Sequence, residues 1–233
     1  MSLYLILDLA ILFVPLVLSF DRRVAFYRRW PSAIVAIVIV GGVFIAWDVF
    51  ATRRGDWSFN PAQTGELRIW GLPLEEMLFF LTAPYACLFV YEVVRAYTPE
   101  IGLFVTPWMG SGLGIAFIAA GLFFYTQPYT LTVLVVFGLF FLLASAVAPH
   151  LLMSSWFWTA LGICYLPILF VDGVLTAIPV VLYGPSHIWG VRVYTIPLED
   201  FFYSLILIAA SFLVHIMLRV RLTGGPSAGL PVI

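Results

Sequence analysis

Two pairs of adjacent acidic residues are the part of this sequence best suited to chemistry. They stand in the segments Pro-Leu-Glu-Glu at residues 73–76 and Pro-Leu-Glu-Asp at residues 197–200, each directly before an apolar run. A carboxylic acid and a carboxylate in one site can donate and accept a proton in the same reaction. A charged side chain near the centre of a bilayer costs about 2.5–3.5 kcal/mol, so this placement points to a function.

Each acid pair also has a purely structural explanation. Pro73 and Pro197 are predicted to be first-turn prolines, and acids in the first turn complement the helix dipole by about 0.3–1 kcal/mol. Adjacent helical residues point about 100° apart. We therefore expect one acid of each pair to face a cavity and its neighbour to face a partner helix or an arginine.

Four further charged residues are candidates for the same site. Asp48 and Asp172 lie near the ends of the second and sixth apolar segments, on the side of the acid motifs. They either orient the motif acids and share protons with them or are solvated acids at helix ends. Arg68 and Arg192 stand five residues before the motif prolines, where they either pair with the acids or extend toward water as loop arginines.

Aromatic residues follow both acid motifs closely. Packing in the core would explain them, but a ring beside an acid can also stabilise a developing cation by up to about 2 kcal/mol when desolvated. The candidate substrate-binding residues are Phe79, Phe80, Phe201, Phe202 and Tyr203.

The remaining tryptophans and histidines give weaker signals. We expect His150 and His215 at the membrane interface, and His187, in the loop before the second motif, is a weak candidate for the site. No spacing of His, Cys and acids repeats, so the sequence does not support a metal site. Residues expected in the aromatic belt of the interface are Trp57, Trp70, Trp189 and Tyr194.

The composition indicates an integral membrane protein. Of 233 residues, 63% are apolar and 10% are charged, and the net charge is −1, whereas a soluble domain is about 25% charged. These values exclude a soluble enzyme, a disordered protein and a nucleic-acid-binding protein, which would have a basic surface. The chain has eleven arginines and no lysine, which excludes a retinal Schiff base.

Seven apolar segments are long enough to cross about 30 Å of hydrocarbon, and they predict an all-α protein with seven transmembrane helices. Arginines favour the side of the first loop, which predicts an N-terminus outside the cell membrane and a cytoplasmic C-terminus. The segments are residues 3–20, 32–50, 74–95, 110–125, 130–148, 157–181 and 198–218.

The sequence repeats itself at an offset of 124 residues. At this offset Asp48 meets Asp172, Arg68 meets Arg192, and the two acid motifs coincide. The first three segments thus match the last three, and the fourth is left over. Because one extra span restores the direction of the chain, the two units should be parallel. We predict a first repeat at residues 1–101, a linking helix at 102–126, a second repeat at 127–222 and a disordered tail at 223–233.

The doubled motif on duplicated three-span units resembles the heterodimer-type lycopene cyclases, in the fused form that joins both small subunits in one chain. The resemblance covers nearly the whole sequence. It implies cyclisation of the linear ends of lycopene to β-ionone rings, through a one-ring intermediate and without flavin or another cofactor. It also implies a lipophilic carotenoid substrate, contact with membrane lipid and no nucleic acid. Other membrane enzymes of the carotenoid pathway are candidate partners.

The resemblance transfers the family's acidic residues to Glu75, Glu76, Glu199 and Asp200. We assign Glu75 and Glu199 as proton donor and acceptor, without order, and Glu76 and Asp200 as residues that tune or relay the proton. Under this hypothesis, Glu75→Gln or Glu199→Gln abolishes the cyclic product.

Other functions remain open at this point. A proton-coupled transporter would use the acids as a relay, although parallel units argue against alternating access. An intramembrane prenyltransferase would need aspartate-rich motifs that are too sparse here. The chain could also be a structural partner of another membrane enzyme, or a cyclase that makes another ring type on longer carotenoids.

Overall fold

The computed structural model describes residues 2–223, and 72% of these residues are helical. The predicted tail therefore lies outside the described residues from position 224 onward, while Thr223 is the last residue of a helix. The eight helices are α1 (Leu3–Leu18), α2 (Trp30–Arg54), α3 (Leu74–Tyr97), α4 (Pro107–Phe123), α5 (Pro128–Val147), α6 (Pro149–Met153), α7 (Ser155–Ala177) and α8 (Leu198–Thr223), with a 3₁₀ turn at Phe26–Arg29.

Each predicted apolar segment corresponds to one of the longer helices. Five of these are long and apolar enough to cross a membrane, namely the helices that contain α2, α3, α5, α7 and α8. Helices α1 and α4 are also apolar but are shorter, with 16 and 17 residues. The short helix α6 connects α5 to α7 and was not predicted.

Six short strands lie between the helices. They are β1 (Trp57–Phe59), β2 (Arg68–Ile69), β3 (Leu72–Pro73), β4 (Val181–Tyr183), β5 (Arg192–Val193) and β6 (Ile196–Pro197). Strands β2 and β3 form one hairpin and β5 and β6 form another. Strand β1 pairs with β4 in antiparallel register, with Ser58 opposite Leu182. Each strand of the first half has its counterpart 124 residues later.

The motif prolines lie one residue earlier relative to their helices than we predicted. Pro73 is the residue before α3 and has an extended backbone, with φ −60° and ψ 149°. Pro197 likewise belongs to strand β6, and α8 begins at Leu198. The hairpin explains this: Pro73 pairs with Arg68 and Pro197 with Arg192, so each proline closes a hairpin before the helix starts.

Helices α3 and α8 form the centre of the bundle. Helix α3 packs against α1, α2 and α7, helix α8 packs against α2, α5 and α7, and the two pack against each other. Helix α4 packs chiefly on α5, where Gly114 and Gly138 meet so closely that a Cβ atom at Gly114 would lie 2.7 Å from the Gly138 carbonyl oxygen. Small residues at such a crossing let two membrane helices approach closely.

Candidate active site

A cavity lies where the first turns of α3 and α8 meet the ends of α2 and α7. It encloses about 570 Å³ of space between atoms, a value that includes its open mouth. Strands β1 and β4 form part of its wall. The predicted site residues that line it are Asp48, Glu76, Phe79, Asp172, Asp200 and Tyr203.

The second acid of each pair faces this cavity. The hydroxyl group of Tyr4 donates to Glu76 Oε2 at 2.7 Å. Asp200 accepts from two phenols, Tyr129 at 2.5 Å through Oδ1 and Tyr183 through Oδ2. Both carboxyl groups are buried, so these phenols take the place of water as hydrogen-bond donors.

The first acid of each pair faces the loop that precedes it, and does not line the cavity. Glu75 Oε1 accepts from Ser2 Oγ at 2.6 Å and from the backbone amide of Gly65 at 2.8 Å. Glu199 Oε1 accepts from Thr130 Oγ1 and from the amide of Trp189 at 2.7 Å.

The helical turn of about 100° between neighbours separates the two acids of each pair. The structure thus directs Glu75 and Glu199, which we had named as proton donor and acceptor, toward loops. It directs Glu76 and Asp200 toward the space where a ligand fits.

Asp48 and Asp172 lie in the same cavity, on α2 and α7. Asp48 is buried, and the indole of Trp57 lies within hydrogen-bonding reach of it. Within residues 2–223, neither Asp48 Oδ2 nor Asp172 Oδ2 has a hydrogen-bond partner. The cavity therefore combines four carboxyl groups, two of which have an uncommitted oxygen.

The predicted aromatic residues divide into two groups. Phe79 and Tyr203 line the cavity. Phe80 packs on Phe44 of α2 with ring centroids 6.0 Å apart, and Phe202 packs on the α4–α5 pair. Phe201 packs against Tyr165. These three rings support the helices that carry the acids, and the structure does not place them in the cavity.

Neither predicted arginine forms an ion pair with a motif acid in the described part of the chain. Arg68 donates to Thr64 Oγ1 at 2.7 Å, and Arg192 donates to the carbonyl oxygen of Thr195 at 2.6 Å. The guanidinium group of Arg192 also lies 5.4 Å from the ring centroid of Tyr183. Both arginines thus brace the loops before α3 and α8.

The phenols that bind the acids were not predicted from the sequence. Tyr4 and Tyr129 stand at the start of the first helix of each half. They are 125 residues apart, one more than the repeat offset, so the alignment of the two halves does not match them. Tyr183 lies in β4, outside the helices. Desolvation and the neighbouring carboxyl of Asp200 raise the pKa of Tyr183 well above its usual value, so its hydroxyl stays protonated and donates.

Trp57 and Asp8 were also missed. Trp57, expected in the interfacial belt, is buried and lines the cavity, with its ring centroid 4.8 Å from that of Tyr129. Asp8 lies one helical turn after Tyr4 and is 1% exposed, and neither of its carboxyl oxygens has a hydrogen-bond partner within residues 2–223. Its isolation inside an apolar helix was the signal available in the sequence.

A second polar cluster lies toward the opposite ends of α3 and α8. Glu92 is buried and contacts Arg95 at 3.1 Å, Arg219 at 3.0 Å and His215 at 3.2 Å. The ring of His215, which was expected at the membrane interface, is fully buried against Glu92 between the two helices. This cluster joins the two central helices far from the cavity.

The thiols and the acids do not form a recognisable metal centre. Cys87 and Cys164 are buried and free. Among the described residues, no group of three or more His, Cys, Asp and Glu side chains is arranged to hold a metal ion.

Comparison with known proteins identifies the family. The sequence profile described as Lycopene cyclase matches residues 1–94 and 126–218, two segments that fit a two-unit repeat and make up most of the chain. Over 82 residues the chain is 32% identical to the bifunctional lycopene cyclase/phytoene synthase of Phycomyces blakesleeanus. This aligned segment covers 34% of this chain and 14% of that protein. No solved structure matches the chain. Because the profile matches both halves, the chain belongs to the lycopene cyclase family.

Proposed function

We propose that this protein is a membrane-embedded isomerase that closes the linear ends of lycopene into β-ionone rings, first to the one-ring product and then to β-carotene. The observation that carries this proposal is the cavity itself. Glu76 and Asp200 face one aromatic-walled space from two helices that pack against each other. Family membership supports carotenoid cyclisation in general, and the site supplies the acid and base that a proton-initiated reaction needs.

Ring closure needs one proton donor and one proton acceptor. The donor protonates the terminal double bond, the resulting tertiary cation is attacked by the next alkene, and the acceptor removes a proton from the new ring. One proton enters and one leaves, so substrate and product are isomers. No oxidant or reductant is needed for this balance.

The hydrogen bonds distinguish the two acids. Asp200 accepts from two phenols, whereas Glu76 accepts from one. Hydrogen bonds to a carboxylate favour its charged form. We therefore assign Glu76 as the proton donor and Asp200 as the acceptor, in place of Glu75 and Glu199. Asp48 and Asp172 return the proton from acceptor to donor between cycles.

The cavity walls are suited to the cationic intermediate. Trp57, Phe79 and Tyr203 present rings to the same space as the acids, and a desolvated ring can stabilise a cation by up to about 2 kcal/mol. An apolar wall also keeps out water, which would otherwise capture the cation. Folding the polyene end into a reactive shape can contribute several kcal/mol, with about 7–11 kcal/mol as the upper range.

We propose an architecture of seven transmembrane helices for this activity. Helices α1–α3 form one unit. Helices α5, α7 and α8 form the second unit, which is parallel to the first, and α4 links the two. The strands of the first half recur 124 residues later, and β1 pairs with β4 in antiparallel fashion. Both observations support this layout. The proposed topology keeps the N-terminus outside and the C-terminus in the cytoplasm, as the arginine distribution predicts.

Expression in cells that accumulate lycopene tests the proposal directly. Chromatography of the extracted pigments should show β-carotene and the one-ring intermediate. A product with a different ring type would mean that the protein is a cyclase of another specificity. Unchanged lycopene, with the protein inserted in the membrane, would overturn the proposal and favour a proton-coupled transporter.

A further inference from the structure

Beside the central contacts of α3 and α8 with the opposite half, two outer seams join the halves, and these two seams differ in chemistry. The first seam lies between α1 and α7 beside the cavity. The second lies between the end of α2 and the start of α5. The α1–α7 seam consists of Tyr4, Leu7 and Ile11 of α1, Val171 and Leu175 of α7, and Val180, which follows α7; Phe79 of α3 packs against the same cluster.

The second seam is fastened by polar contacts. Arg54 forms an ion pair with the fully buried Asp56 and donates to Thr132 Oγ1 and to the carbonyl oxygen of Pro128, both at 3.2 Å. Asp56 also contacts His187 Nδ1 at 2.8 Å. Opening this seam would break the contacts of Arg54 with Thr132 and Pro128 and the contact of the buried Asp56 with His187, which is unfavourable because buried polar groups would lose hydrogen-bond partners.

The α1–α7 seam has no equivalent of this fastening in its sequence. At the offset of 124 residues, Arg54 corresponds to Ile178 and Asp56 to Val180. The seam is instead a small apolar cluster, separate from the main core. Separating two apolar helix faces inside a bilayer costs little free energy, because the lipid tails that replace the contact are as apolar as the side chains.

The same seam is a wall of the cavity. Tyr4, Val171 and Leu175 line the cavity on one side and pack in the seam on the other. The helix faces that flank it are apolar and exposed, with Phe13 of α1 66% exposed and Phe170 of α7 69% exposed. Between these exposed faces and Glu76 the seam presents the apolar side chains of this cluster and the Tyr4 ring, with the buried carboxyl group of Asp8 one helical turn after Tyr4 on α1.

We propose that the α1–α7 seam is the lateral portal through which the apolar polyene end enters the cavity from the bilayer, while the α2–α5 seam stays closed. This inference rests on the proposed function, since it takes a linear carotenoid as the ligand. It adds the route of entry and the residues that gate it. Leu7 and Ile11, which lie outside the catalytic machinery, become the residues that control access.

A reversible cross-link tests the portal. In a background with Cys87→Ala and Cys164→Ala, Leu7→Cys and Val171→Cys are joined by a short reducible bis-maleimide. The matched control joins Ser58→Cys to Leu182→Cys, the directly opposed pair of β1 and β4, which also links the two halves. We expect the portal bridge to reduce multiple turnover of lycopene about tenfold or more and the control bridge to change it less than about twofold, because gating limits turnover.

The order of loading and bridging separates a blocked portal from a damaged site. Protein loaded with lycopene before bridging should complete one turnover, and reduction should restore multiple turnover. If the preloaded protein fails as well, or if the bridged protein turns over normally, the portal is refuted. If wild-type protein that is inserted in the membrane converts no lycopene at all, the proposed function is refuted, and the portal proposal that rests on it is refuted as well.

A substitution in the wild-type background gives an independent measurement. Ile11→Trp should narrow the portal and lower the initial rate about tenfold, whereas Phe13→Trp, on the exposed face of the same helix, should leave the rate within about twofold. Equal rates for the two variants would contradict the proposal. Both variants are scored against the amount of folded protein in the membrane.

Discussion

At the scale of single residues, the site depends on how a helix separates two neighbouring acids. Glu76 and Asp200 enter the cavity, and Glu75 and Glu199 bind the preceding loops through Gly65 and Trp189. Gly65 and Trp189 are related by the repeat offset, so both halves use the same arrangement. One acid of each pair is therefore available for chemistry and the other holds a loop in place.

Neutral substitutions of the four acids should give unequal effects. Glu76→Gln and Asp200→Asn should each lower cyclisation by about 10²–10⁴-fold, the usual contribution of a general acid or base. Glu75→Gln and Glu199→Gln should retain most of the activity, because the amide oxygen still accepts from Ser2 and Thr130. Pigment chromatography per unit of inserted protein provides the measurement. Larger losses at Glu75 and Glu199 than at Glu76 and Asp200 would return the donor and acceptor roles to Glu75 and Glu199.

The phenols on Asp200 offer a second test at this scale. A hydrogen bond to a charged group is worth about 1.5–3 kcal/mol, so Tyr129→Phe and Tyr183→Phe should each lower the rate roughly 10–100-fold. Tyr194→Phe, at an exposed phenol, is the matched control. Because the pKa of Tyr183 is raised well above its usual value, its hydroxyl group should stay protonated between pH 6 and 9. The effect of Tyr183→Phe on the rate should therefore be the same throughout this range. A rate unaffected by both substitutions would remove the phenols from the mechanism.

At the scale of elements, each acid motif is a hairpin followed by a helix. The amide of Leu74 donates to Leu67 and the amide of Leu198 donates to Val191 in the two halves. Trp70 and Tyr194, at equivalent positions, both have a left-handed backbone, with φ 54° and 59°. These turns fix where each helix begins and thus which acid faces the cavity.

The close approach of one loop to its acid gives a prediction for this scale. A Cβ atom at Gly65 would lie 2.8 Å from Glu75 Oε1. Gly65→Ala should therefore push the carboxyl group away and weaken the loop by about 1–2 kcal/mol, the cost of a lost hydrogen bond, with a lower thermal unfolding temperature in detergent. The control is Gly42→Ala, where a Cβ atom meets nothing within 4 Å. An unchanged unfolding temperature for Gly65→Ala would show that the loop does not depend on Glu75.

At the scale of the whole molecule, the cavity requires both halves. Glu76 comes from the first half and Asp200 from the second, and β1 pairs with β4 between them. The polar contacts of Arg54 and Glu92 also cross between halves. Because the proposed proton donor comes from one unit and the proposed acceptor from the other, neither unit is complete alone.

Splitting the chain tests this dependence. Cleavage between Pro99 and Glu100 keeps Glu100 with its partner Ser154 and separates α1–α3 from the rest. The two fragments expressed together should cyclise lycopene at a rate within about tenfold of the intact chain, since a linker mainly raises effective concentration. Each fragment alone should leave lycopene unchanged. Activity in a single fragment would mean that one half contains a full site.

The sequence by itself determined the membrane setting, the position of each long helix, the repeat and the two acid motifs. These follow from local information, because apolar runs and matched charges can be counted along the chain. The resemblance to the lycopene cyclases rested on the same motifs and was confirmed by the family profile.

Only the tertiary structure decided which acid of each pair faces the cavity and which side chains meet it. Neighbouring residues on a helix point about 100° apart, and the neighbours of α3 and α8 settle which direction leads to the cavity. Tyr4 and Tyr129 reach their acids from helices about 70 residues away in sequence, a contact that no local pattern encodes. The contrast between the apolar and the polar seam likewise arises only where two distant segments pack together.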